Sequence, residues 1–178
     1  MSKNIQLIVG SIRGKIGDQV ADWIAKNTKD IEGLNLEVVA VKDANLPLFD
    51  APISPARQPV DTPEAKAWAQ KISSADGYIF LTSEYNRSIP PSLANAFDYL
   101  KWDEKPVGII AYGMVDGGAS ATSHLTDMIN WFKMDIRGNV NIPVEYTALN
   151  ESGVFADPDN TLSPKLEEVQ ALAQKLIA

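Results

Sequence analysis

Ser11, Arg13 and Lys15 stand close together in the glycine-bearing stretch Gly10-Ser11-Ile12-Arg13-Gly14-Lys15-Ile16-Gly17, between the apolar run Ile5-Gln6-Leu7-Ile8-Val9 and a helical pattern. A hydroxyl donor, a guanidinium fork and a compact ammonium together suit a terminal phosphate. The helix beyond, expected to start near Asp18, adds amide N–H groups with no partner inside the helix and the positive end of its dipole. The stretch is not a Walker loop, because Gly14-Lys15 is followed by Ile16 where that motif needs Ser or Thr. Nor is it a dinucleotide fingerprint, since Gly10 has no second glycine two residues on. An ordinary strand-to-helix turn with surface Arg and Lys is the competing reading.

Two further segments carry comparable chemistry. Ser83-Glu84-Tyr85-Asn86-Arg87-Ser88 follows the apolar run at 77–82, and the glycine-rich residues 113–118 follow the apolar run at 107–112. A phosphate cradle beside two loops rich in backbone donors, glycine and one aromatic suggests a flat, heteroaromatic, phosphorylated ligand, a description that FMN fits.

The elements that must position these loops can be read from periodicity. Strands are expected at 5–9, 36–41, 77–82, 107–112 and, shorter, about 139–142, ending at Pro143. Between them fall helical stripes: Val20, Ala21, Trp23 and Ile24; Ala65, Trp68, Ala69 and Ile72 behind Thr62-Pro63; Leu93, Ala96, Phe97 and Leu100 behind Pro90-Pro91; and Leu125, Met128, Ile129 and Phe132. The last helix carries Leu166, Val169, Leu172, Ala173 and Leu176 behind Ser163 as N-cap and Pro164 at its first position. Pro52, Pro55 and Pro59 make residues 51–62 a loop, and residues 146–161 read as a polar linker. Strands alternating with helices and joined by right-handed crossovers give an α/β fold: a doubly wound, five-stranded parallel sheet of order 2-1-3-4-5 with helices on both faces, in one domain over 1–178. In that order a ligand sits outside the carboxyl ends of strands 1 and 3, where the loops after strands 1, 3 and 4 converge.

Composition narrows the chemistry. With no cysteine, disulfides, thiolate metal sites and cysteine nucleophiles are excluded, so redox chemistry has to come from a bound cofactor. Sixteen basic against 23 acidic residues, net −7, and no dense Lys/Arg run argue against nucleic-acid and anionic-membrane binding. No apolar run approaches the ~18–20 residues that span a bilayer, and a soluble, cytoplasmic protein is expected. Asp22, Asp43, Asp50, Asp98 and Asp103 have no metal-ligand spacing, and no metal is expected. His124, the single histidine, reads as a surface or interface residue, and Trp23, Trp68, Trp102 and Trp131 as packing residues.

The motifs Gly10-Ser11-Ile12-Arg13, Gly17-Asp18-Gln19-Val20, Leu46-Pro47-Leu48-Phe49-Asp50, Glu84-Tyr85-Asn86-Arg87-Ser88-Ile89-Pro90, Lys105-Pro106-Val107-Gly108 and Tyr112-Gly113 through Gly117-Gly118 resemble, in order, the NADPH-dependent FMN reductase family over about residues 4–133. The resemblance implies a flavodoxin-like fold, bound FMN, NADPH or NADH as co-substrate, and quinones, azo compounds, chromate or free flavin as small-molecule acceptors. It implies that Ser11, Arg13, Lys15, Gly17 and the amides of Asp18, Gln19 and Val20 hold the FMN phosphate. Glu84, Tyr85 and Asn86 would border the ring, with Ser83 and Ser88 beside them, while Gly113, Gly117, Gly118 and Ser120 lie toward its pyrimidine side. Tyr85 and Arg87 would meet substrate. Lys15 stands where a second arginine is common, Ser83 replaces a usual proline, and Ser120 replaces a frequent arginine. No side chain is expected to act as the catalytic acid or base: the flavin carries the electrons in a ping-pong cycle. Aromatic surface at Trp102, Trp131 and Phe132 suggests a homodimer, and the resemblance allows a homotetramer. A flavodoxin-type electron carrier, a receiver domain and a flavin-less scaffold are the alternatives. The receiver lacks its acidic residues here, since strand 1 ends in Gly10-Ser11 and strand 3 in Thr82-Ser83.

Overall fold

The computed structural model describes residues 2–13, 15–102 and 104–178. Gly14 of the first loop and Asp103, one of the carboxylates weighed as a metal ligand, lie outside the described residues.

Five strands, β1 (Lys3–Val9), β2 (Leu34–Ala40), β3 (Gly77–Ser83), β4 (Pro106–Gly113) and β5 (Asp135–Pro143), pair in parallel in the order β2-β1-β3-β4-β5. Helices α1 (Ile16–Thr28), α2 (Pro63–Ser73), α3 (Pro91–Asp98), α4 (Ala119–Trp131), α5 (Pro158–Leu162) and α6 (Leu166–Ile177) complete the doubly wound, flavodoxin-like arrangement. Strand side chains alternate between faces. Ile8, Phe80 and Ile109 enter a core shared with α2, α3 and α4, while Leu7, Val9, Ile79, Leu81 and Ile110 enter a second core under α1 and α6. Coverage on both faces is why these strands read as continuous apolar runs.

Aromatic rings tie the first core to α3. Phe97 lies 4.8 Å from Phe80, 4.6 Å from Trp102 and 5.9 Å from Phe132, centroid to centroid. This packing uses Trp102 and Phe132, two of the three aromatics expected at an interface. Trp131 departs from its expected packing role and is 82% exposed. The buried stripe of α4 is held by Leu125 and Ile129, and two residues on the helix has turned by about 200°, which carries Trp131 away from the core.

Several boundaries differ from expectation. The first helix begins at Ile16, two residues before Asp18, because Ile16 packs against the second core. Ser163 opens a 3-10 turn, Ser163–Lys165, and is the C-cap of α5 and not the N-cap of the last helix. The capping residue is Asp157, whose carboxylate accepts the Asn160 N–H at 3.1 Å with Pro158 at the first position of α5, so part of the expected linker is helical. The proline-bearing loop after β2 is docked: Asn95 donates to the Pro47 carbonyl and accepts from the Phe49 N–H, both at 2.8 Å, and the Tyr99 hydroxyl donates to Pro47 at 3.0 Å. Thr62 caps α2 as expected, accepting the Ala65 N–H at 3.2 Å. Among the described residues, no helix is long and apolar enough to cross a membrane.

Replacing Phe97 with Ala should cost about 3–5 kcal/mol of stability in urea unfolding, from lost burial and the cavity left behind. Trp131→Ala should stay within about 0.5 kcal/mol, as for surface changes generally. The opposite ranking would mean that α4 is rotated relative to this packing.

Candidate functional site

Val9 of β1 pairs with Leu81 of β3, and Ser83 pairs with Tyr112 of β4, so the loops leaving these strands start level with one another. Between them opens a cleft of about 500 Å³, lined by Ser11, Arg13 and Lys15, by Ser83, Glu84 and Tyr85, by Tyr112, Gly113 and Met114, and by residues that follow β5.

The first loop is anchored through Gly10, whose N–H donates to the Leu81 carbonyl at 2.9 Å and whose carbonyl accepts the Ser92 hydroxyl at 2.6 Å. A Cβ at Gly10 would stand 2.8 Å from the Leu93 side chain, so glycine lets α3 close onto the strand end. Ser11 is buried, its Oγ 3.1 Å from the Tyr85 hydroxyl and accepting the Arg13 N–H at 3.3 Å. Lys15 precedes α1 at φ +46° and gives no side-chain cap, so the amides of Ile16, Gly17 and Asp18 open the helix without partners of its own. The Gln19 N–H is already bonded to the Lys15 carbonyl at 3.0 Å, and Val20 is fully buried. The amides that open the helix are therefore those of Ile16, Gly17 and Asp18, two residues earlier than the expected Asp18 to Val20. The Asp18 carboxylate turns to Lys42 at 2.8 Å.

Among the described residues Arg13 and Lys15 have no carboxylate partner, whereas Lys26, Lys42, Lys66, Lys71 and Lys165 each have one. The Arg13 guanidinium stands 5.8 Å from the Tyr85 ring centroid. Two unpaired cations beside an uncapped helix start concentrate positive potential at one end of the cleft.

The floor is made of hydroxyls. Burial pushes the Tyr112 phenol up to about 12, with the Ser83 and Ser11 hydroxyls partly offsetting it and Tyr85 and Asp18 adding to it. Tyr112 therefore stays a protonated donor. The Ser83 hydroxyl acts on this phenol as a nearby dipole, yet its Oγ is buried with no partner in hydrogen-bonding geometry. A buried hydroxyl left open at a cleft floor is satisfied by a ligand or a water. Gly17 is needed above it, since a Cβ there would lie 2.9 Å from the Tyr112 oxygen.

The third and fourth loops are bonded mainly to each other. Tyr85 and Ser88 exchange both backbone hydrogen bonds, at 2.8 and 2.9 Å, around Asn86 at φ +51° and Arg87 at φ +66°, the geometry of a two-residue hairpin turn. The Glu84 N–H donates to the Tyr112 carbonyl at 3.0 Å, and the Glu84 carboxylate accepts the Ser120 N–H at 3.1 Å. Asp116 accepts the N–H groups of Gly118 and Ala119 at 3.2 and 3.1 Å and faces Arg87 at 3.8 Å. The Ser88 hydroxyl lies 2.5 Å from His124 Nδ1. A Cβ at Gly117 would meet the Ile142 nitrogen at 2.8 Å, and one at Gly118 the Tyr112 carbonyl oxygen at 3.1 Å. Both also hold positive φ, so their glycines are required by the strands behind them.

Of the residues singled out from sequence, Ser11, Arg13, Lys15, Ser83, Glu84, Tyr85 and Gly113 line the cleft. Asn86, Arg87, Ser88, Gly117, Gly118 and Ser120 brace its walls instead. Tyr112, Met114, Tyr146 and Leu149 line it too and escaped the sequence reading. Tyr112 is hidden in an apolar strand run, and the other three carry no motif.

Comparison with known proteins follows the same lines. The model of the family described as NADPH-dependent FMN reductase matches residues 4–148. An NAD(P)H-dependent FMN reductase of a Nectria species is 37% identical over 134 residues, 70% of this chain and 66% of that protein. The match thus spans about two thirds of the relative's length. A quinone reductase of Escherichia coli is 36% identical over 140 residues, 72% of this chain and 71% of its own. Among solved structures, the flavoenzyme NAD(P)H:(acceptor) oxidoreductase of Paracoccus denitrificans superposes with a TM-score of 0.67 at 19% identity, covering 98% of both chains. An FMN-dependent NADH-azoreductase of Bacillus anthracis, in complex with FMN, gives 0.60 at 16%, covering 98% of this chain and 100% of that one. At such identities the structures share the fold.

The phenol at the floor gives a pH signature. Because the Tyr112 pKa is raised from 10.0 to about 12 in the folded state, its contribution to stability is fully present below pH 10 and is lost as pH rises through about 12. Two pKa units correspond to about 2–3 kcal/mol. Unfolding free energies of wild type and Tyr112→Phe should therefore converge or cross by that amount between pH 9.5 and 12. A pH-independent difference would place the phenol in water.

Proposed function

The chain belongs to the NADPH-dependent FMN reductase family, and from that premise we propose that it is an NAD(P)H-dependent, FMN-containing oxidoreductase that reduces quinones or comparable small acceptors. The observation that carries this reading is the pair of cations Arg13 and Lys15, which have no carboxylate partner among the described residues, at a helix start without a side-chain cap, in a cleft that Tyr85 walls beside Arg13.

The donor set fits FMN. Arg13, Lys15 and the amides of Ile16, Gly17 and Asp18 would hold its phosphate. The open Ser83 hydroxyl, with Tyr112 and Ser11 beside it, offers donors and acceptors to a polyol chain running from the phosphate end. Tyr85 would border the ring. FMN held there would supply two-electron chemistry between NAD(P)H and the acceptor, and a quinone that receives a hydride equivalent needs one further proton, from solvent, to become a hydroquinone. The chain's own part is binding and orientation, and the amides of Glu84 and Tyr85 cannot face the ring because both are spent within the protein. The Asn86 amide, at the tip of the turn, has no protein acceptor among the described residues and is the donor left at that edge.

In this reading nicotinamide and acceptor use the same cleft in turn, so oxidised nicotinamide leaves before the acceptor enters. Self-association as a homodimer or homotetramer belongs to this reading, supported by the exposed Trp131 on α4.

Two measurements test it. A charge-assisted hydrogen bond contributes about 1.5–3 kcal/mol, so Arg13→Ala should weaken FMN by one to two orders of magnitude and leave riboflavin nearly unchanged. Equal losses would remove Arg13 from the phosphate. Steady NAD(P)H oxidation with a quinone should give parallel double-reciprocal plots. Intersecting lines would establish separate sites, and no turnover without a protein partner would favour an electron carrier.

A further inference from the structure

Residues 144–156 form a closed strap beside the cleft where the sequence suggests a linker. The Val144 N–H donates to the Gly113 carbonyl at 2.8 Å, which pins the start of the strap to the end of β4. A 3-10 turn, Tyr146–Ala148, follows, and Leu149 then bridges back to Phe155. Between them Asn150 closes a tight turn, its side chain accepting the Ser152 N–H at 2.9 Å and its N–H donating to the Val154 carbonyl at 2.8 Å. Phe155 is a buried plug in the second core. Both of its backbone groups are gripped by Gln19 in the first turns of α1: the Phe155 N–H donates to Oε1 at 2.9 Å, and Nε2 donates to the Phe155 carbonyl at 3.1 Å. The strap is thus fastened at one end to β4 and at the other to the helix that opens the phosphate cradle.

What the strap presents to the cleft is largely apolar. Tyr146 and Leu149 line it together with Ile16 and Met114, above a floor of hydroxyls. Tyr146 is 80% exposed although it belongs to a well-fastened turn. A tyrosine whose backbone is fixed in a turn and whose ring stands largely in water offers a broad stacking surface. The matched family span ends at residue 148, so it includes Tyr146 and its 3-10 turn, while the Asn150 turn and the Phe155 plug lie beyond it.

We propose that this strap is the acceptor-selecting wall of the cleft, and that Tyr146 is a specificity-determining residue that holds planar aromatic acceptors by their flat face. The inference rests on the proposed function for what the acceptor is, and on the strap alone for where the acceptor touches. Aromatic pairs contribute about 0.5–1.5 kcal/mol beyond area burial, which corresponds to a change in affinity of up to about tenfold.

The test uses the FMN-loaded protein as wild type, Tyr146→Phe and Tyr146→Ala. Anthraquinone-2-sulfonate is titrated into each without reductant and followed by the flavin absorbance change, and FMN affinity is measured separately by quenching of flavin fluorescence. The Ala variant should bind the anthraquinone about fivefold to tenfold more weakly, and the Phe variant should match wild type. FMN affinity should move by less than twofold in both. In turnover, the ratio of KM for the anthraquinone to KM for ferricyanide, which offers no flat face, should rise by the same factor in Tyr146→Ala. An equal loss of FMN affinity would make Tyr146 a cofactor contact and overturn the proposal, as would unchanged anthraquinone binding. A wild type that binds both ligands but oxidises no NAD(P)H would overturn the proposed activity and leave the binding result to decide the strap. A chain that takes up no FMN overturns both.

Discussion

The site depends on how closely the first helix settles onto the carboxyl end of β4. Gly17 and the Tyr112 hydroxyl meet there with no room for a methyl group, since a Cβ would lie 2.9 Å from the oxygen. That contact sets the start of α1, with Ile16 in the lining, beside the cleft. The Ser11 and Ser83 hydroxyls act on the same phenol, so the floor is one connected polar patch. It also places Gln19 where it can reach Phe155 and hold the strap. A glycine near a helix start normally weakens the helix by about 0.5–1 kcal/mol relative to alanine. Here that cost is offset by an approach no other residue allows.

The loops after β3 and β4 show a different use of polar groups. The carboxylates of Glu84 and Asp116 are spent inside the protein: Glu84 on the Ser120 amide, and Asp116 on the amides of Gly118 and Ala119. An anionic side chain at a helix start is stabilised by the dipole and satisfies orphan donors, so α4 is capped from two loops at once. The consequence is electrostatic asymmetry. Among the described residues the cations of the first loop have no carboxylate partner and its helix has no side-chain cap, while the start of α4 is neutralised by Asp116 and Glu84. This asymmetry supports the proposal of an anionic group at the Arg13 end of the cleft.

The order 2-1-3-4-5, the five strands and the gathering of Ser11, Arg13 and Lys15 at the cleft were legible because each follows from local pattern. Buried parallel strands are apolar throughout, helices repeat at 3.6, and the chemistry of the first loop lies within seven consecutive residues. Hidden features were those whose reason lies far away in the chain. Trp131 and Phe132 are neighbours with the same local credentials, yet one stacks on Phe97 and the other stands in solvent, because a helix turns 100° per residue and its packed face is set by the sheet. Gly117 and Gly118 read as ligand-facing glycines, whereas β5 and β4 crowd them from behind.

Local pattern in the sequence by itself carried the topology and the edge of the sheet at which Ser11, Arg13 and Lys15 come together. Only the tertiary structure decided which donors remain for a ligand, because a donor is free or spent according to acceptors up to 136 residues away, as Gln19 and Phe155 illustrate. It also turned a polar stretch after β5 into a wall of the cleft. That stretch has no periodicity and no motif, and its order comes from a buried phenylalanine and one glutamine that holds both sides of its peptide backbone.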